Sequence, residues 1–150
     1  MDPAIFKAYD IRGLYPEQID EEAAWKIGHA SAQFLRSLLQ GYDRGQANAQ
    51  SLVVGRDMRT HSPALAQALM AGMNASGANV IDIGMIDTPQ IYFAINHLGT
   101  CGGVQITASH NPSHYNGCKI SGLHARPIGA NTGLRSEEHT SELQSLGYIS

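Results

Sequence analysis

The stretch GVQITASHNPSHYNGCK, residues 103–119, decides the fold. Its first four residues form an apolar run typical of a buried strand, and a loop bounded by glycine and proline follows. This loop is predicted to carry Ser109, His110 and Lys119. Backbone N–H groups of a tight turn bind oxyanions, an ammonium adds a point charge, and a serine hydroxyl can carry a phosphoryl group. The stretch therefore indicates a phosphoryl-binding loop, although serine and asparagine before a proline also form ordinary turns.

Strand and helix signals alternate along the chain before this loop. Buried strands are predicted near residues 51–55, 79–84 and 103–107. Each predicted helix has its own start and stop residues: Asp20 and Gly41 for the first, Ser62 with Pro63 and Gly77 for the second, Thr88 with Pro89 and Gly99 for the third. The apolar face of the first helix is predicted to consist of Ala23, Ala24, Ile27, Ala30, Phe34 and Leu38. The alternation predicts an α/β fold of three α/β/α layers around a largely parallel, mixed sheet.

Polar loops follow the three predicted strands, at residues 56–61, 85–88 and 108–116. Because ligands bind outside the carboxyl ends of parallel strands, these loops are expected to meet at one rim. The rim is predicted to be locally basic, with contributions from Arg12, Arg56, Arg59, His110 and Lys119. A structural ion pair around Asp57 remains an alternative explanation of the charges in residues 56–59.

Composition sets the outer bounds of the interpretation. The chain has 150 residues, of which 43% are hydrophobic and 15% charged, with a formal net charge of -3. This length suits a single domain, and the acidic balance argues against a nucleic-acid binder. The sequence shows no secretory signal or membrane-length apolar run, so a cytoplasmic protein without membrane association is expected. Cys101 and Cys118 are expected to be reduced rather than paired.

Two alternative interpretations of the same loop are a zinc site and the nucleophile of a serine hydrolase. His110 and His114 are four residues apart, as helical zinc ligands are, but Asn111 and Pro112 break a helix and no third ligand is evident. A serine hydrolase needs a glycine-flanked elbow, whereas Ser109 lies between alanine and histidine. Both interpretations are therefore disfavoured.

Four motifs together resemble the α-D-phosphohexomutase family. They are AYDIRG at 8–13, VGRDMR at 54–59, the loop at 108–116 that carries Ser109 (the serine loop), and KISG at 119–122. Their order and spacing match over roughly residues 4 to 130. The AYDIRG opening resembles the phosphomannomutase/phosphoglucomutase branch, so the fold is expected to be that of the first, N-terminal domain of a phosphohexomutase.

The resemblance also implies roles for individual residues. Ser109 would be the phosphorylated serine that gives its phosphoryl group to a hexose monophosphate, forms a bisphosphate and takes back the other phosphoryl group. Lys119 and Arg12 would lie near the reacting phosphate, His110 would assist proton movement or loop geometry, and Tyr9 would pack close by. The implied cofactors are Mg²⁺, with the phosphate on Ser109 as one ligand, and a hexose 1,6-bisphosphate activator.

The end of the chain differs in character. The run RSEEHTSELQS at residues 135–145 equals a translated sequencing adapter letter for letter. We therefore predict a truncated domain I at 1–134 and a non-native tail at 135–150, with a natural polar helix as the alternative. The resemblance implies domains 2–4 beyond this chain, and the isolated chain is expected to be inactive. A non-catalytic sugar-phosphate-binding module of the same fold is the second functional hypothesis.

Overall fold

A computed structural model of the chain describes residues 1–8, 10–39 and 47–129. Five strands form one sheet: β1 (Ile11–Leu14), β2 (Leu52–Arg56), β3 (Val80–Met85), β4 (Gly102–Ile106) and β5 (Tyr115–Ser121). The helices are α1 (Glu21–Ser37), α2 (Ser62–Ala75) and α3 (Thr88–Leu98), with short 3₁₀ turns at Pro3–Ile5 and Leu123–Ala125. The strand order is β1-β5-β4-β2-β3.

The three predicted strands are parallel neighbours at the centre and one edge of this sheet. β2 pairs in parallel with both β3 and β4, and Val54 lies opposite Val104. The other two strands were not predicted from the sequence. β5 runs antiparallel to β4, and β1 runs antiparallel to β5. The sheet is therefore mixed, and the chain turns back along β4 immediately after the serine loop.

The sheet has helices on both faces. Leu52 and Val54 point into a large core shared with α1 and α2. Val53, between them, joins a smaller core with Ile91 and Ile95 of α3. The alternation of side chains along a strand places these two cores on opposite faces, which confirms the three-layer α/β/α prediction. Within the described ranges, no helix is both long and apolar enough to cross a bilayer.

The start of α1 follows its sequence signal, but its end does not. The Asp20 carboxylate accepts a hydrogen bond from the backbone N–H of Ala23 at 2.9 Å, which satisfies one of the free donors at a helix start. α1 ends at Ser37, and Gly41, the predicted stop, lies outside the described residues. Leu38 was predicted on the apolar face but is 49% exposed, because it follows the last helical turn.

The other two helices begin one residue away from their predicted caps. Ser62 is the first residue of α2, and its hydroxyl donates to Asp57 at 2.6 Å instead of capping the helix. Asp87, not Thr88, precedes α3, and its backbone N–H donates to the Gln90 side chain at 2.7 Å. The predicted stops are confirmed for both helices: Gly77 follows the C-cap residue of α2 and Gly99 is the C-cap of α3, and both have a positive φ.

The crossing of α1 and α2 leads to a stability prediction. A Cβ atom on Gly72 would lie 1.9 Å from the Trp25 carbonyl oxygen, and one on Gly28 would lie 2.0 Å from that of Leu69. Gly72→Ala should therefore lower the free energy of unfolding by about 1–3 kcal/mol through overpacking, although alanine is the better helix former. Urea unfolding followed by circular dichroism measures this change, with Asn74→Ala on the exposed side of α2 as control. A Gly72→Ala chain as stable as wild type would show that the helices do not cross this closely.

Candidate active site

The loops after β2, β3 and β4 line one cleft of about 780 Å³ at the rim of the sheet. Ser109, His110 and Lys119 all line it. The loops after β2 and β3 contribute residues 57–60 and 86–89, and Gln105 and Thr107 line the cleft from β4 and its end. The structure thus brings together the three loops that the sequence analysis placed at one rim.

Ser109 has an unusual backbone conformation. Its φ is 56°, in the left-handed region that few residues other than glycine adopt. The Ser109 N–H donates to the Thr107 hydroxyl at 3.0 Å, and the Asn111 N–H donates to the Ala108 carbonyl at 3.1 Å. Such strain persists only where surrounding contacts hold it, and it is concentrated at functional sites. The sequence analysis missed Thr107, although a hydroxyl residue two positions before a turn residue is a known turn signal.

Arg59 supplies most of those surrounding contacts. Its guanidinium donates to four carbonyl oxygens of the serine loop at 2.7–3.2 Å, those of Ser109, Asn111, Pro112 and Tyr115. Its Nε pairs with Asp57 at 3.1 Å, and both side chains are largely buried, at 11% and 14% exposed. Arg59 and Asp57 therefore hold the loop as a structural ion pair. This was the alternative interpretation of the motif. Arg59 lines the rim cleft as predicted, but its charge is engaged by Asp57 and by the loop carbonyls.

Lys119 reaches the cleft from a strand and not from the loop. It lies within β5, directly opposite Gln105 of β4, so its predicted placement in the loop is wrong. The reason is that β5 already pairs with β4 at this position. Among the described residues, none forms a hydrogen bond or ion pair with its ammonium, and Lys119 is half-buried beside Ser109 in the same cleft. The cleft thus presents one unengaged cation to an anionic ligand.

Arg12 lies next to this cleft and not within it. It is part of β1, pairs with Asp10, and lines a second cleft of about 470 Å³. Its guanidinium also donates to the side chain of Asn111, which lines both clefts. Arg12 is therefore joined to the serine loop through Asn111. Arg56 is not among the described residues that line either cleft, and Tyr9 lies outside the described residues.

The cleft offers few oxygen ligands for a metal ion. Within the described part of the chain there is no group of three or more His, Cys, Asp or Glu residues that could hold a metal, around His110 and His114 or elsewhere. The Asp57 carboxylate, which lines the cleft, is already engaged by Arg59 and Ser62. Among the described residues of the cleft, the Ser109 oxygen, or a phosphate on it, and the exposed Asp87 carboxylate are suited to binding Mg²⁺, so these residues fit the metal as one partial ligand set.

Both cysteines are buried and unpaired, as expected for reduced thiols. Burial raises the pKa of Cys101 to about 11, and burial raises the pKa of Cys118 as well.

These pKa shifts predict slow alkylation of the folded chain. A thiol reacts as its thiolate, and at pH 8 a pKa near 11 leaves roughly one thousandth of Cys101 ionised. Iodoacetamide at pH 8 should therefore leave both cysteines unmodified by mass spectrometry, whereas the urea-unfolded chain should react at both. Rapid labelling of Cys118 in the folded chain would contradict its position between β1 and β4.

The fold and this site define an α/β domain that presents a strained loop serine and an unengaged lysine to a cleft at the rim of its sheet. Residues 3–145 match the sequence model of the family described as "Phosphoglucomutase/phosphomannomutase, alpha/beta/alpha domain I". The chain therefore belongs to the phosphoglucomutase/phosphomannomutase family and corresponds to its domain I.

Individual relatives agree with this assignment. A phosphomannomutase of Salmonella montevideo is 44% identical over 91% of this chain and 27% of its own length. A phosphomannomutase of Klebsiella pneumoniae is 43% identical over 91% of this chain and 80% of its own. The crystal structure of a phosphoglucomutase/phosphomannomutase family protein from Burkholderia thailandensis superposes with a TM-score of 0.77 at 31% identity, covering 99% of this chain and 31% of that one.

The chain spans about 27% of the length of the first of these relatives. The matched range of the family model includes the segment predicted to be foreign, and residues from 130 onward lie outside the described part of the chain. The boundary at Leu134 and the non-native tail therefore stay predictions.

Proposed function

We propose that this domain supplies the phosphoryl carrier of a phosphohexomutase that interconverts hexose 1-phosphate and 6-phosphate. The observation that carries this proposal is the placement of Ser109, in a strained and clamped loop, in one cleft with the unengaged ammonium of Lys119. A serine held in this way can be phosphorylated, and its phosphoryl group can pass to a bound sugar phosphate. The family assignment supports a sugar phosphate as the ligand.

The residues of the cleft have distinct roles in the proposed reaction. The phosphoryl group on the Ser109 oxygen passes to a hydroxyl of the hexose monophosphate, which gives the bisphosphate and a free serine. After the bisphosphate turns over, Ser109 takes back the other phosphoryl group. Because phosphoryl transfer proceeds through a loose transition state with spread charge, positioned cations dominate its catalysis. Lys119 supplies such a charge, and the exposed His110 can accept or return a proton at the rim.

Mg²⁺ would bind the phosphate on Ser109 and neutralise part of the developing charge. The other metal ligands, and the groups that select the sugar, would come from the part of the relatives that this chain does not match. We therefore propose that the chain alone is inactive and that it needs domains 2–4 for turnover. A hexose 1,6-bisphosphate would serve as the activator that phosphorylates Ser109.

A comparison of two proteins tests this function. The first is the 150-residue chain, and the second is a completed enzyme in which this domain is joined to the remaining domains of a phosphomannomutase relative. With Mg²⁺ and bisphosphate, the completed enzyme should convert mannose or glucose 1-phosphate, and the chain alone should not. A completed, folded enzyme that binds sugar phosphate without converting it would favour the second hypothesis, a non-catalytic binding module.

Lys119→Ala should slow the completed enzyme by about 10²–10³ in kcat, a loss similar to that of other charge-stabilising groups. The physical reason is that Lys119 is the cation of the cleft whose charge no residue in the described part of the chain neutralises. Steady-state kinetics measure this loss, and Arg126→Ala, an exposed cation that lines neither cleft, is the matched control. Equal kcat values for the two variants would remove Lys119 from the mechanism.

A further inference from the structure

His61 joins α2 to the far side of the serine loop. It precedes α2, and its imidazole Nε2 lies 3.0 Å from the Ser113 carbonyl oxygen. Its Nδ1 lies 2.7 Å from the side-chain nitrogen of Asn116. The ring also stacks on Tyr15, with centroids 4.3 Å apart and planes inclined by 20°. These contacts hold a loop residue, a strand residue and the start of a helix to one imidazole.

The orientation of the Asn116 amide determines which imidazole nitrogen carries the proton. Asn116 is fully buried, and its Oδ1 accepts from the Gly117 N–H at 2.8 Å. Its Nδ2 donates to the Ser62 hydroxyl at 2.9 Å, since that hydroxyl gives its own proton to Asp57. Nδ2 is therefore the amide atom that faces the His61 ring.

Only one neutral tautomer of His61 satisfies this arrangement. Because Asn116 presents an N–H to Nδ1, Nδ1 must accept, and the ring proton must lie on Nε2. From Nε2 it is donated to the Ser113 carbonyl. A second proton, on Nδ1, would set two donors against each other, and turning the amide over would set its NH₂ against the Gly117 N–H. Protonation of His61 therefore breaks the contact with Asn116.

We propose that His61 is a positioning residue that holds the serine loop only as the neutral imidazole, so that acid loosens the loop that presents Ser109. The relevance to catalysis rests on the function proposed above. The coupling between the charge of His61 and the conformation of the serine loop does not. Imidazole is the side-chain group that usually changes charge nearest to neutral pH.

Other ionisable groups lie near the ring. They are Tyr15 from the β1–α1 connection with its partner Glu21 at the start of α1, the Asp57–Arg59 pair from the loop before α2, and His114 from the serine loop. The hydrogen bond to Glu21 raises the pKa of Tyr15, so Tyr15 stays uncharged at neutral pH and below. Asp57 and Arg59 neutralise each other. His114 is the remaining ionisable group of the loop, and its own variant must separate the two histidines.

Nuclear magnetic resonance of the intact 150-residue chain tests the proposal. At neutral pH, the ¹⁵N shifts of His61 should show an unprotonated Nδ1 and a protonated Nε2. On acidification, the backbone amides of Ser109 and Ser113 and the side-chain amide of Asn116 should shift with the same midpoint as the His61 ring. His61→Gln, which keeps a donor for the Ser113 carbonyl without a titrating ring, should lose this shared titration. His114→Gln and His97→Gln, an exposed histidine of α3, should retain it.

Two results would overturn the proposal. One is a proton on Nδ1 of His61 at neutral pH. The spectra of the wild-type chain would reveal it, so this outcome needs no variant. The other is an unchanged titration of the loop amides in His61→Gln, or its loss in His114→Gln. Because the readout is the spectrum of the chain itself, absence of mutase activity in the completed enzyme would leave this test unaffected.

Discussion

Ser109→Ala should reduce turnover of the completed enzyme to background, because it removes the hydroxyl proposed to carry the phosphoryl group. Binding of the sugar phosphate should persist, since Lys119 and the loops of the cleft remain. The measurement is conversion of glucose 1-phosphate in the presence of Mg²⁺ and bisphosphate, with binding followed separately by calorimetry.

Ser113→Ala is the matched control for this change. Ser113 belongs to the same loop and lines the same cleft, but its contact with His61 uses the backbone carbonyl, which alanine retains. Most of the activity should therefore survive. Near-normal turnover in Ser109→Ala, or equal losses in the two variants, would contradict the role of Ser109.

Arg59→Ala should have the second-largest effect, on both stability and activity. It would leave four carbonyl oxygens of the serine loop and the largely buried Asp57 carboxylate without their partner. Breaking a buried ion pair in this way costs roughly 3–5 kcal/mol. Without the clamp, the loop can leave the conformation that presents Ser109, so kcat should fall by about 10² or more, as for other misplaced catalytic groups. Urea unfolding and steady-state kinetics measure the two losses.

Arg59→Lys separates charge from geometry. The ammonium of lysine keeps the positive charge. Unlike the planar guanidinium, however, it cannot bond to four carbonyl oxygens and a carboxylate at once. The lysine variant should therefore recover little of the lost kcat. Full recovery by lysine would show that the charge of Arg59, and not its hydrogen bonds to the loop, is what the reaction needs.

Sequence patterns were sufficient to predict the strands and helices whose apolar residues follow a simple pattern. The parallel strands β2, β3 and β4 are short apolar runs between helices with clear caps, so their order and their shared rim followed from general rules of chain topology. β1 and β5 were missed because they carry polar residues and glycines. Gly117 allows the two strands to approach closely, since a Cβ atom there would lie 1.9 Å from the Ile11 carbonyl oxygen. A single sequence does not distinguish a glycine that close packing requires from a glycine that a turn requires.

The same limit applies to the site. Ser109 was predicted from its loop, and the structure places it in the rim cleft. The role of Arg59 could not be predicted, because it depends on carbonyl groups that lie 50 or more residues away in the sequence. The contact of His61 with Asn116 likewise spans 55 positions. Charged and polar residues read along the chain indicate candidates, but only the folded chain shows which of them are engaged by the backbone and which, like Lys119, remain available to a ligand.

The most direct test of the central claim is to locate the phosphoryl group itself. The completed enzyme is incubated with hexose 1,6-bisphosphate and Mg²⁺, digested, and mapped by mass spectrometry before and after addition of excess hexose monophosphate. One acid-stable phosphoryl group is expected on Ser109, and it should disappear when the monophosphate is added. An active enzyme whose phosphoryl group is found on His110, or on no residue of this domain, would contradict it.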